Sequence, residues 1–161
     1  MATAVLAAVL AGVWVWRTLF PGDERLIRQL LAEAAQTASV KPNENPIFKL
    51  AGANKLVGFF SPDAVVKVEV AGLDTRSLSG RDDLLQAVAA ARAGLQEARI
   101  QLHEVAVQVD PAGRAATAQL VATAYLNGTG NPVVQELRLQ LGKIEGRWKI
   151  VRVETMRGLG M

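Results

Sequence analysis

The chain has 161 residues, 18 of them basic and 15 acidic, a net charge of +3 and no cysteine. That length fits one domain with a short appendage and is large enough to bury a core without covalent staples. The lack of cysteine excludes disulfides, thiolate metal sites, cysteine nucleophiles and a lipidated-cysteine anchor. Arg25, Arg28, Lys41, Lys49, Lys55, Lys67, Arg76 and Arg81 alternate with apolar and acidic residues. Such spacing describes a solvated surface and argues against a nucleic-acid partner.

Residues 1–20 carry one charged side chain, Arg17, and residues 4–16 are uninterruptedly apolar. Twenty helical residues reach about 30 Å, one hydrocarbon core. Trp14 and Trp16 suit the interface, and Arg17 can reach the headgroups. Pro21 and Gly22 end the helix. No basic residue precedes the run and no small-x-small site follows it, which argues against a cleaved signal peptide. The expectation is a single-pass anchor over residues 1–22 in a bacterial inner membrane, with the lipid bilayer as partner. Arg17, Arg25 and Arg28 favour a cytoplasmic domain. A very short N-terminus gives that rule little to count, so the side stays open, leaning periplasmic.

Residues 23–38 are helical by period, with Leu26, Ile27, Leu30, Leu31, Ala34 and Ala35 as the apolar stripe. A polar loop follows at residues 41–46. Asn45 and Pro46 then open a second helix as N-cap and first residue. Ile47, Leu50, Ala51, Leu56 and Phe59 are its expected inward positions, and residues 61–63 its end. Residues 64–70 alternate as a short strand, and residues 71–78 read as a loop. Ser79-Gly80-Arg81-Asp82 has capping-box spacing. The helix beyond it buries Leu84, Leu85, Val88, Ala91 and Leu95.

Four strands follow. In residues 99–109 the apolar phase changes at His103 and Glu104, which calls for a bulge in a curved sheet. Residues 110–113 turn the chain. Residues 114–126 place Ala116, Ala118, Leu120, Ala122, Ala124 and Leu126 on one face, against Thr117, Gln119, Val121, Thr123 and Tyr125 on the other. A hairpin loop at residues 127–131 leads to Val133, Leu137, Leu139 and Leu141 alternating with polar positions. Glu145-Gly146-Arg147 turns into a last strand whose phase moves at Ile150 and Val151. Segregated helices and strands predict an α+β fold: three helices on a strongly curved antiparallel sheet over residues 23–157, after the anchor and before a tail at residues 158–161.

Residues 59–64 (Phe-Phe-Ser-Pro-Asp-Ala), residues 78–82 (Leu-Ser-Gly-Arg-Asp), residues 143–150 (Lys-Ile-Glu-Gly-Arg-Trp-Lys-Ile) and the Asp23-Glu24 opening of the first domain helix are similar, in order and spacing, to the nuclear transport factor 2-like superfamily. This cystatin-like, SnoaL-like cone is shared with ketosteroid isomerases and polyketide cyclases. The resemblance implies a pocket between the concave sheet face and the helices, with Phe59, Phe60, Leu84, Ala118, Ala122 and Tyr125 as its lining. The small face around Ala118 leaves room for a ligand. In the competing reading Phe48, Phe59, Phe60 and Leu84 fill the cone. The superfamily includes enzymes and non-enzymes, so activity has to be argued from the site.

A catalytic member would need a carboxylate or His base and an oxyanion donor. The candidates are His103, the only His, and Tyr125, the only Tyr, paired across neighbouring strands, with Glu104 and Asp63 the nearest carboxylates. Each has an ordinary structural explanation, Asp63 as a turn residue and Asp82 as a cap. One His and no Cys leave no metal site, and no cofactor is expected. The leading expectation is a membrane-anchored, non-catalytic binding or assembly module. The alternatives are a small-molecule isomerase, cyclase or dehydratase, and an accessory subunit of a larger membrane complex. The expected partners are the bilayer and a protein partner or second copy, with any small-molecule ligand unspecified.

Overall fold

The computed structural model describes residues 2–19, 22–69, 75–128 and 130–156. In chain order the elements are α1 (Ala2–Leu19), α2 (Asp23–Ala38), α3 (Pro46–Val57), β1 (Phe60–Val68), β2 (Arg76–Ser79), α4 (Arg81–Gly94), β3 (Ala98–Val109), β4 (Ala115–Leu126), β5 (Val133–Ile144) and β6 (Arg147–Thr155). The six strands form one sheet in the order β2-β1-β6-β5-β4-β3. β3 to β6 are an antiparallel meander, as their hairpin turns require. The expectation of a wholly antiparallel sheet is corrected at β1, which runs parallel to β6 and pairs antiparallel with β2 on its other side. α3 and β1 return the chain to the last strand, so this pairing joins residues far apart in the chain, Phe60 with Ile150, and leaves no local signal.

Two further differences lie nearby. β1 begins at Phe60, and its register with β6 shifts between Phe60 and Val65. Pro62 falls inside that irregularity, where a missing ladder donor is tolerated. Residues 76–78, expected as loop, form the edge strand β2 together with Ser79, while residues 70–74 lie outside the described residues. β2 runs straight into α4, so Ser79 is consumed by the strand. The N-cap is Gly80, at φ 86°, and the expected capping box is not made.

The sheet is bent where the apolar phase changes. β3 slips between His103 and Ala106, with Glu104 at φ 52°. β6 slips beside Ile150, leaving Val151 as the extra residue. α2 lies in the resulting trough. Ile27 and Leu31 are buried on Ala116, Ala118, Leu120, Leu139, Leu141, Trp148, Ile150 and Val153. A second, smaller core gathers Val57, Ala64 and Leu84, where α3 and α4 cover β1.

α1 precedes this body. From Thr3 to Val15 every side chain is exposed, including Val5, Leu6, Val9, Leu10 and Trp14. Among the described residues no helix is long and apolar enough to cross a membrane. The side chains of Trp16 and Arg17, expected at the interface, lie outside the described residues, as does the tail at residues 158–161.

Candidate functional site

Cavity, charge and register decide where chemistry has room. The Ala-rich face of β4 points into the cone as expected, but its small side chains admit α2 closely. Ala118 is fully buried beneath the α2 stripe, and Ala122, Phe59 and Phe60 pack around the same core. Leu84 belongs to the separate core under α4. Phe48 fills nothing, being 66% exposed. Of the expected lining, then, Phe59, Phe60, Ala118 and Ala122 come together. Leu84 meets this group through Phe60, which packs against both cores, while Tyr125 lies on the other face of the sheet.

The expected pairing of His103 with Tyr125 is corrected by the register. His103 stands opposite Val121, while Tyr125 stands opposite Arg99, further along the ladder. Strand alternation puts both on the outer face, away from α2. Arg99 lies over the Tyr125 ring at 4.6 Å from its centroid. His103 is exposed beside the β3 bulge. Neither reaches the cone interior. The inward positions of β3 to β6 are aliphatic or Ala apart from Gln135, Lys143, Trp148 and Thr155.

Lys143 sits at the rim of that interior, and its ammonium donates to Asp23 Oδ1 at 2.9 Å. Trp148 Nε1 donates to the same oxygen at 3.0 Å. These two hydrogen bonds, Lys143 first, hold the Asp23 carboxyl below its ordinary range. Asp23 thus opens α2 near the positive end of its dipole and ties that helix to the β5–β6 hairpin. Asp110 is also lowered, because its carboxylate accepts the Arg114 N–H in the β3–β4 turn. Both clusters explain themselves as structure.

The third polar cluster was not foreseen. Arg92 of α4 is buried. Its Nε donates to Lys49 O at 3.0 Å, its Nη1 to Thr37 O at 2.7 Å, and its Nη2 to Glu44 Oε2 at 3.3 Å. One guanidinium therefore joins the end of α2, the loop at residues 41–45 and α3. Gly52 makes room for it, since a β-carbon there would overlap the guanidinium. The signal was present in the sequence, because Leu84, Val88 and Arg92 share one face at intervals of four. Ala91, expected in that stripe, is exposed.

This clamp sets the rotation of α3. The Gly52 side must face Arg92, and Ala53 and Val57 are the residues buried. Ile47, Leu50 and Ala51, expected inward, are turned out to solvent, with Ile47 74% and Leu50 55% exposed. The N-cap itself is as expected, Asn45 accepting from Ile47 N at 2.9 Å. Between α3 and the loop before it opens a groove of about 640 Å³, lined by Lys41, Pro42, Asn43, Glu44, Asn45, Phe48, Ala51, Gly52 and Lys55. A shallower hollow of about 550 Å³ lies by the Val151 bulge on the outer sheet face. Among the described residues no three His, Asp or Glu side chains come together as metal ligands.

The profile of the SnoaL-like domain matches residues 51–154. The chain belongs to the SnoaL-like family. No curated protein matches the sequence. Solved structures share the fold. A nuclear transport factor 2-like protein with a cystatin-like fold from Novosphingobium aromaticivorans superposes with a TM-score of 0.63 at 21% identity, over 93% of this chain and 86% of that one. A candidate scytalone dehydratase from the same organism gives 0.64 at 14%, over 83% of each chain. A protein of Kribbella flavida gives 0.65 at 16%, over 83% of this chain and 89% of that one. At these identities the SnoaL-like chain shares their fold, and its activity has to come from its own residues.

Proposed function

We propose that this SnoaL-like protein is a non-catalytic binding or assembly module held at a lipid bilayer by α1. The observation that carries the reading is the content of the cone. Ile27 and Leu31 occupy the trough, and the inward strand positions present no carboxylate and no His to a substrate. General acid–base chemistry needs such a group within hydrogen-bond reach of the reacting atom. Attachment is supported by the unbroken exposure of Thr3 to Val15, of which all but Thr3 are apolar. A helix apolar on all sides is stable only when something covers it.

Two measurements test the two halves. The full chain, expressed with its residues 1–19, is expected in the membrane fraction and resistant to salt. Recovery in the soluble fraction would remove the attachment. Mild-detergent purification of the same chain is expected to bring down a protein partner or a second copy. Turnover of a small molecule that is lost in His103→Ala or Tyr125→Phe would instead establish an enzyme of the isomerase, cyclase or dehydratase type.

A further inference from the structure

We infer that the outward face of α3 is a second bilayer contact, which lays the domain onto an anionic phospholipid surface. The inference rests on the attachment through α1 proposed above.

The face is built rather than incidental. Arg92 and Gly52 fix the rotation of α3, so Ile47, Phe48, Leu50 and Ala51 are committed to solvent. A helix of ordinary design would put these large side chains inside and the small ones outside. α3 turns them outward and buries Ala53 and Val57. Its exposed arc is an apolar wedge over the first two turns.

Charge decides what covers it. Lys41 and Lys55 line the groove beside Phe48, and both are exposed. Among the described residues Glu44 is the carboxylate that lines this groove, and it is paired with Arg92, while both lysines are exposed. Lys49 is not available, since it donates to Leu95 O at 2.7 Å. Apolar side chains flanked by lysines match a leaflet in which acyl chains lie beneath phosphates. A second copy seated face to face would bring lysine rim against lysine rim, which opposes association. A free phosphate would leave Ile47 and Leu50 uncovered.

The chain has no cysteine, so a single introduced thiol reports its own position. The full chain carrying Phe48→Cys, labelled with an environment-sensitive dye, is reconstituted into vesicles of phosphatidylcholine with or without phosphatidylglycerol. Gln119→Cys, on the exposed outer sheet face, is the control. The Phe48→Cys dye is expected to shift blue and to be quenched by nitroxide-bearing lipid in the anionic vesicles, while the control stays accessible to aqueous iodide. Each lysine is worth about fivefold toward an anionic surface, so Lys41→Glu with Lys55→Glu is expected to lower the docked-to-free ratio by roughly 25-fold or more. Protein that floats with the vesicles while the Phe48→Cys dye stays iodide-accessible overturns the docking and leaves the α1 attachment intact. Protein that does not float overturns the attachment and this inference with it. A blue shift that ignores nitroxide lipid and grows with protein concentration assigns the face to a second copy, and overturns it too.

Discussion

α2 and α3 pass over the same body and use their apolar residues in opposite ways. α2 buries Ile27 and Leu31 in the sheet trough, while α3 buries Ala53 and Val57 and turns Ile47, Phe48 and Leu50 to solvent. Both carry enough aliphatic residues to be read as inward-packing helices. The difference is the partner each meets. α2 lies on an Ala-lined strand that accepts bulk, and α3 meets a buried guanidinium that accepts only a glycine. A helix is oriented by its tightest contact, which need not be its most hydrophobic one.

Removing the clamp is the strongest way to break that contrast. Arg92→Ala strips the buried partner from Glu44 and removes the side-chain donor to the carbonyls of Thr37 and Lys49. Loss of one member of a buried charged network costs about 3–5 kcal/mol. Urea denaturation of the full chain in nonionic detergent should show a loss of that size. Next comes the same truncation on the two helices. Leu31→Ala should cost about 2–5 kcal/mol by cavity formation under α2, and Leu50→Ala on α3 no more than about 0.5 kcal/mol. Equal losses would erase the distinction between a buried and an outward stripe. Gly52→Ala forces a methyl into the Arg92 seat and should cost about 1–3 kcal/mol, with hydrogen exchange rising first in α3.

The smallest effect concerns the other end of α2. Asp23 has a folded pKa below its ordinary value, so its hydrogen bonds to Lys143 and Trp148 stabilise fully above about pH 4. That contribution fades as pH falls through the lowered folded value. Asp23→Asn should flatten the acid limb of a stability-against-pH curve. Asp110, also lowered, should leave part of the slope in place. An unchanged acid limb would show that the rim contact contributes nothing to holding α2.

Where the local chain carries its own instruction, the sequence was enough. Asn45-Pro46 starts α3, Asp110 to Gly113 turns the chain, and the phase slips at His103 and Val151 mark real bulges. Each depends on contacts within a few residues, or on a period-two pattern that records which face is wet. The family was legible in short motifs, at residues 59–64, 78–82 and 143–150, that stand in the family's order and spacing.

What the sequence left undecided involves partners distant along the chain. Only the tertiary structure sets β1 parallel to β6, spends Ser79 on an edge strand before it can cap α4, and separates His103 from Tyr125 through the β3–β4 register. It also lays α2 on the Ala-rich face, because small residues on a strand are equally compatible with a cavity and with a close-packed helix until the helix position is known. Above all it places Arg92 against Gly52 and so chooses the outward face of α3. That choice is made by a steric fit between residues on two different helices, and no hydrophobic periodicity within α3 records it.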